Sequence, residues 1–340
     1  LCTYHKTVMG MMETGVLHAP RLAVTTSCAC DGNLSTFRQL GQRMDVPMVL
    51  LDVPYEGDDE SVDYLAAQLR ELTRTLEELT SVPFDEGRLS HLLEVERETN
   101  DLAWEFMRLQ AEHFYPSEFI HHLFFVLAMQ LSAGSEELRD LLRFMVDDIK
   151  RAPKLTGDKI LWVHLMPYYQ QSLKAAFDYS PAHQIVAADM AFCTMSDLAD
   201  ADPFRALAKK LIGNAMNGPY ERKLALIDRL LDATHADGVI HFCHWGCKQS
   251  SGGSAILREH LHEAGVPLLQ LDGDGIDERN SHDGQIKTRL EAFFEVLAAK
   301  RAEDDEQGGA AKTKGGAQKS SADQTGGTQG ATADPKGSAQ

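Results

Sequence analysis

The stretch GVIHFCHWGCKQSSGGSAILREHLHEAGVPLLQL, residues 238–271, decides how the chain is read. Gly238–Phe242 is a short apolar run with the look of a buried strand. Ser254–Ala264 reads as a helix and Pro267–Leu271 as a second strand. Strand, helix and strand at this spacing make a parallel unit. The loop between the first strand and the helix holds Cys243, Trp245 and Cys247, and parallel sheets gather ligands at the carboxyl ends of their strands.

Reading outward, Lys159–Leu165 (KILWVHL) and Gln184–Ala188 (QIVAA) are two more strands. Helices over Gln170–Phe177, Pro203–Ala215, Tyr220–His235 and Gly284–Ala299 complete a doubly wound α/β segment. A second such segment opens the chain. Thr3–Thr14 is helical, Arg21–Thr26 is a strand, and a helix capped by Asn33 or Ser35 runs through Met44. Pro47–Val53 follows as a strand whose continuous apolar run predicts burial on both faces. Between the segments lie four helical stretches, Asp58–Thr80, Asp85–His113, Ser117–Leu131 and Ser135–Arg151.

The fold expected is therefore α/β: two doubly wound, mostly parallel α/β domains with a helical insert. The divisions fall at residues 1–57 (N-terminal α/β domain), 58–151 (helical insert), 152–301 (C-terminal α/β domain) and 302–340. The last of these contains no Leu, Ile, Val, Met, Phe, Tyr or Trp. Nothing in it offsets the entropy of ordering, so a disordered tail is expected. The chain starts at Leu1 with no lead-in to its first helix, and the first domain is read as truncated.

Of 340 residues, 33 are basic and 51 acidic, a net charge of −18. That balance speaks against nucleic acid, where affinity comes largely from Lys and Arg on phosphates. It speaks equally against an anionic membrane surface. The longest apolar run, Leu123–Met129, is far short of the ~20 residues a membrane span needs. No signal peptide is read, and a cytoplasmic location is expected.

Six cysteines are too few for a disulfide scaffold. Their places are informative. Cys28 and Cys30 directly follow the first strand, Cys193 follows QIVAA, and Cys243 and Cys247 follow GVIHF. Cys2 precedes the first helix. Any one of them alone reads equally well as a small buried hydrophobe. Taken together, their preference for strand ends points to a metal or cluster site. Cys243 and Cys247 with His241 and His244 offer a zinc set. Ligands drawn from distant parts of the chain suit an iron–sulfur cluster in a cleft better. Trp245 would shield such a cluster or fill the core.

Other motifs are few. There is no G-x-G-x-x-G, P-loop, G-x-S-x-G or H-E-x-x-H. Asp272–Asp277 resembles a calcium loop but puts Ile276 where a ligand is required, and no Glu closes it. The amides of Gln249–Ser254 could hold a phosphate or carboxylate.

Three elements together carry a family resemblance: Ser27-Cys28-Ala29-Cys30-Asp31-Gly32-Asn33 with Thr36-Phe37-Arg38, then Asp237–Gln249, then Gly265–Asp274 with Gly284–Phe293. Over residues 1–300 the chain resembles the 2-hydroxyacyl-CoA dehydratase component family, of the 2-hydroxyglutaryl-CoA dehydratase type. Benzoyl-CoA reductase subunits belong to the same superfamily. The resemblance implies a [4Fe–4S] cluster held by three cysteines, which match Cys2, Cys30 and Cys247 here. Cys28 would displace Cys30, or Cys243 displace Cys247, if the match were shifted, and Cys193 is left over.

The implied activity is that of a lyase. It removes water from a 2-hydroxyacyl-CoA to give an enoyl-CoA through a ketyl radical, under anaerobic conditions. The implied partners are a second homologous dehydratase subunit, an ATP-dependent Fe–S activator protein and the 2-hydroxyacyl-CoA substrate. No general base is assigned. The alternatives are a benzoyl-CoA-reductase-like subunit and a non-catalytic metal-binding scaffold subunit.

Overall fold

The computed structural model describes residues 2–196 and 198–319, with side chains as far as residue 303. Two parallel sheets organise it, as the α/β reading requires. β1 (Ala23–Thr26) and β2 (Met48–Leu51) pair with Ala23 opposite Met48 and Thr26 opposite Leu51. α1 (Thr3–Glu13) packs on α2 (Asp31–Met44), and α2 on β1. The second sheet contains β3 (Asp158–Val163), β4 (His183–Ala188), β5 (Gly238–His244) and β6 (Leu268–Gly273). All are parallel, in the order β4-β3-β5-β6. The chain builds outward from β3 to β4, then returns to the other side of β3 with β5. The crevice between the carboxyl ends of β3 and β5 is thus a topological switch point, where such sheets bind ligands.

β3 and β5 are buried on both faces. Ile160, Leu161, Trp162, Val163, Val239, Ile240 and Phe242 have no exposed surface, which explains their unbroken apolar sequences. Helices cover the sheet: α7 (Gln171–Phe177) and α8 (Asp189–Phe192) flank β4, and α10 (Glu221–Thr234) packs on β3 and β4. The long helices pair with one another. α3 (Asp59–Thr80) packs on α9 (Pro203–Ile212), α4 (Glu86–Gln110) on α6 (Glu136–Ile149), and α5 (Phe119–Leu131) on α8. One apolar cluster joins Leu51, Val53, Val62, Leu65 and Leu69 to Phe204, Ala208 and Ile212. Side chains distant in sequence are thereby fixed against each other.

Three details differ from the sequence reading. β2 is not buried on both faces: of its four residues only Leu51 is buried, and Leu50 is 39% exposed. A continuous apolar run does not reveal which of its faces is covered. α2 begins at Asp31 with Cys30 as its N-cap, ahead of Asn33 and Ser35. Ala29 adopts a left-handed φ of 68°, which turns the chain into the helix early. Finally, α8 and α11 (Lys248–Ser251), four residues each, have no counterpart in the reading, because a single turn carries no periodicity.

α12 (Ser254–Glu263) leads to β6, and α13 (Asp283–Lys319) closes the chain. Contacts divide the molecule into a unit ending at Phe293 and a unit from Phe294, whose described part continues α13. Of the expected tail, residues 302–319 belong to this helix, and 320–340 lie outside the described residues. Among the described residues no helix is long and apolar enough to cross a membrane.

Candidate functional site

Cys2, Cys30 and Cys247 share one local structure. Each is the residue immediately before a helix, the N-cap of α1, α2 and α11 respectively. Each uses its carbonyl to accept an early helical bond, from Lys6, Asn33 and Ser251. The amides of a first helical turn favour a thiolate over a thiol. Those of Tyr4 and His5 act this way on Cys2, although burial outweighs them and pushes its thiol up.

Cys247 is far from the other two in sequence, yet the three stand near one another. The Cys2 sulfur lies close enough to those of Cys247 and Cys30 for their charges to oppose its own. Lys248 and Asp31, the residues following Cys247 and Cys30, form an ion pair of 2.6 Å between α11 and α2. Gly246, at φ 78°, supplies the turn that takes the chain out of β5 and into Cys247. Cys30 and Cys247 are half-buried, and Cys2 is buried.

The other three cysteines have different surroundings. Cys28 lies inside the apolar cluster of β2, α3 and α9. Burial pushes its thiol up, and pushes those of Cys193 and Cys243 up to about 12. Cys28 packs as a small hydrophobe, while Cys193 donates to the Met190 carbonyl at 3.3 Å and Cys243 to the Ser250 carbonyl at 3.6 Å, as protonated thiols do.

An imidazole stands against each of the three clustered sulfurs. His244 Nε2 is 3.2 Å from Cys2 Sγ, His5 Nε2 is 3.4 Å from Cys30 Sγ, and His164 Nε2 is 3.3 Å from Cys247 Sγ. The last contact bridges the switch point, from the end of β3 to the loop after β5. Burial is the main force holding all three imidazoles below their ordinary range, so they are neutral.

Their supports are specific. Thr36 Oγ1 meets His5 Nδ1 at 2.9 Å, and the Gly275 N–H donates to His244 Nδ1 at 2.8 Å. The edge of the Tyr4 ring packs on His244. Thr3 donates its hydroxyl to Asp274, which also receives the N–H groups of Ile276 and Asp277 and the Asn280 amide. Burial would raise the Asp274 carboxyl, but these hydrogen bonds prevail and hold it at about 2. The start of α1 is thereby fastened to the loop after β6. Beside this fastening opens a cleft of about 690 Å³ lined by Thr3, Lys6, Tyr168, Tyr169 and Arg279. A larger groove, of about 1080 Å³ between α4 and α10, has no cysteine or histidine in its lining.

The zinc set read from the sequence does not assemble. His241 and Cys243 project from one face of β5, with Cys243 Sγ 3.6 Å from His241 Nδ1. His244 projects from the other face and turns to Cys2. Among the described residues no group of three or more His, Cys, Asp or Glu is spaced for a single ion. A four-iron core spaces its ligands more widely than one ion does. Three soft thiolate donors at helix starts, one buried and two half-buried, match its chemistry. Trp245 is 51% exposed and is no core residue.

His5 and His164 escape a reading of the sequence. Cys2 and His5, three residues apart at the start of one helix, offer a faint signal. His164 offers none, since its partner is 83 residues away.

Residues 1–297 match the family model described as 2-hydroxyglutaryl-CoA dehydratase, D-component. The (R)-phenyllactyl-CoA dehydratase alpha subunit of Clostridium sporogenes is 24% identical, over 88% of this chain and 78% of its own. The (R)-2-hydroxyisocaproyl-CoA dehydratase alpha subunit of Clostridioides difficile is 22% identical with the same coverage. A benzoyl-CoA reductase subunit of Thauera aromatica is 23% identical over 88% of this chain and 77% of its own.

Proposed function

This chain belongs to the 2-hydroxyglutaryl-CoA dehydratase D-component family, and from that premise we propose that it is the iron–sulfur subunit of a 2-hydroxyacyl-CoA dehydratase, a hydro-lyase. Cys2, Cys30 and Cys247 would hold a [4Fe–4S] cluster. The observation that carries the reading is the grouping of three thiols, each at a helix start, beside the switch point. When bound, a cluster with three thiolates supplies one-electron chemistry and leaves one iron open as a Lewis acid.

The reaction explains the need for an electron. The proton on C3 is β to the thioester carbonyl and is not acidic. One electron, delivered by an ATP-dependent activator protein, turns the thioester into a ketyl radical anion. Hydroxide then leaves C2, the C3 proton becomes acidic and is lost, and the electron returns.

The chain's own residues prepare the place for this. Thr3 with Asp274 fastens the start of α1 to the loop after β6, and Lys248 with Asp31 joins the starts of α11 and α2. The buried His164 and His244 pack against the sulfurs of Cys247 and Cys2. Two of the relatives are named alpha subunits, so the proposal includes a second, homologous subunit. A cytoplasmic location fits thiols that must stay reduced.

The near-equal identity to a benzoyl-CoA reductase subunit supports a second reading, reduction of an aromatic acyl-CoA. Product analysis separates the two: loss of water against gain of hydrogen. The first experiment is iron and acid-labile sulfide per chain after oxygen-free purification. About four of each is expected. Zinc, or no metal, in anaerobic material overturns the cluster reading and leaves a scaffold subunit.

A further inference from the structure

Each of the three sulfurs faces an imidazole carried by a different element, and the pairs interlock. His5, in the helix that Cys2 caps, faces Cys30. His244, three residues before Cys247, faces Cys2. His164, at the end of β3, faces Cys247. We propose, resting on the cluster reading above, that His5, His164 and His244 are positioning residues. They donate N–H···S hydrogen bonds to the sulfurs of Cys30, Cys247 and Cys2, and so raise the reduction potential of the bound cluster.

The hydrogen-bond network fixes the direction of the His244 bond. The Gly275 N–H can only donate, and it points at Nδ1 of His244 from 2.8 Å. Nδ1 is therefore the bare nitrogen, and the ring proton is on Nε2, 3.2 Å from Cys2 Sγ. No donor-only group faces Nδ1 in the other two rings, but a ligand thiolate can only accept and so selects the same tautomer. The Thr36 hydroxyl meets Nδ1 of His5 and can supply a proton there, which leaves Nε2–H for Cys30. Nδ1 of His164 is buried with no hydrogen-bond partner. An orphaned buried acceptor is more common than an orphaned buried N–H, which again assigns the proton to Nε2, facing Cys247.

A donor to a ligand sulfur is worth more as the sulfur becomes more negative. Reduction adds one electron, so each N–H···S bond stabilises the reduced form over the oxidised one. Three such bonds make the cluster easier to reduce than bare thiolates would. A subunit that must accept an electron from a donor protein gains from that.

The test uses the whole chain, purified without oxygen, with the potential of its cluster measured by dye-mediated titration followed by EPR. In His244→Asn the amide oxygen falls near the old Nδ1 and still accepts from Gly275, but no donor reaches Cys2. In His244→Gln an amide N–H reaches roughly where Nε2 stood. The expected result is a shift to more negative potential in H244N at unchanged iron content, with most of the shift restored in H244Q. An unmoved potential in H244N overturns the proposal. Loss of iron from H244N that still melts like the wild type also overturns it, because His244 is then needed to hold the cluster rather than to tune it.

A further measurement needs no variant. With 15N-histidine in the wild type, pulsed EPR of the reduced cluster should detect weakly coupled imidazole nitrogen, and its absence overturns the proposal. A wild type without iron sinks the cluster reading itself, a result distinct from these.

Discussion

Asp189 Oδ1 accepts the backbone N–H of His164 at 2.7 Å, and through this bond the end of β4 fixes the imidazole that meets Cys247. His164 has a left-handed φ of 76°, unusual for a side chain of its size. The bond to Asp189 offsets the strain of that turn. The other carboxylate oxygen of Asp189 lies 3.3 Å from the Lys223 ammonium, and both side chains are almost wholly buried.

The first prediction concerns this pair. Lys223→Met leaves a buried carboxylate without its counter-charge. Loss of one partner of a buried pair costs about 3–5 kcal/mol, so the urea midpoint should fall steeply. Asp189→Asn together with Lys223→Met removes both charges and keeps an acceptor for the His164 N–H. That double variant should recover most of the loss. A single Lys223→Met change of under ~1 kcal/mol would show that the ammonium is hydrated and the pair unimportant.

The six thiols should separate by reactivity. Cys30 and Cys247 are half-buried, whereas Cys28, Cys193 and Cys243 are buried with thiols that burial raises. In metal-free protein at pH 8, iodoacetamide followed by mass spectrometry should label Cys30 and Cys247 first. Cys193 and Cys243, at about 12, should label last. Protein that retains iron should protect Cys2, Cys30 and Cys247 together. Early labelling of Cys243 would move the third ligand to that position.

Two glycines should respond to alanine with opposite signs. A Cβ on Gly32 would strike the His5 imidazole, which cannot retreat while Thr36 and Cys30 hold it. Gly32→Ala should cost about 1–3 kcal/mol. Gly10, inside α1, has nothing within 4 Å of a Cβ. Gly10→Ala should gain about 0.5–1 kcal/mol, because alanine loses less backbone entropy in a helix. Thermal melts of the two variants check both signs.

These residues also mark what was legible in the sequence. The starts of α3 and α4 were legible to within one residue from apolar periodicity, with Asp58 and Asp85 proving to be the N-caps that accept the N–H groups of Ser61 and Arg88. β3 and β5 were legible because burial on both faces writes itself as an apolar run. The start of α2 was not, since Cys30 caps it without a side-chain bond and the turn at Ala29 sets it. Of the site, the cysteines drew attention by following strand ends. Of their imidazoles His244 drew attention through its spacing from Cys243 and Cys247, whereas His164 did not, because register between β3 and β5 rather than spacing along the chain brings it to Cys247.

The last prediction is a response to acid. Lys209 donates to Asp200 at 2.6 Å, Arg205 approaches the same oxygen at 3.4 Å, and the Asp202 N–H donates to its other oxygen at 3.0 Å. With the Lys209 bond as the largest cause, the Asp200 carboxyl is held at about 2. A free aspartate titrates near ~3.9. The folded state therefore binds the proton less readily than the unfolded state. The stability this confers is fully present above pH ~4 and is lost as the pH falls through about 2. Arg205 also binds Asp59 and Asp63 of α3, so protonating Asp200 loosens a joint that fastens α9 to α3. Asp200→Asn should lower stability at pH 7 by on the order of 1 kcal/mol, since solvent at the edge of the group screens it. The same variant should flatten the fall in melting temperature between pH 4 and 2. An acid limb identical to that of the parent would assign the sensitivity to other carboxylates.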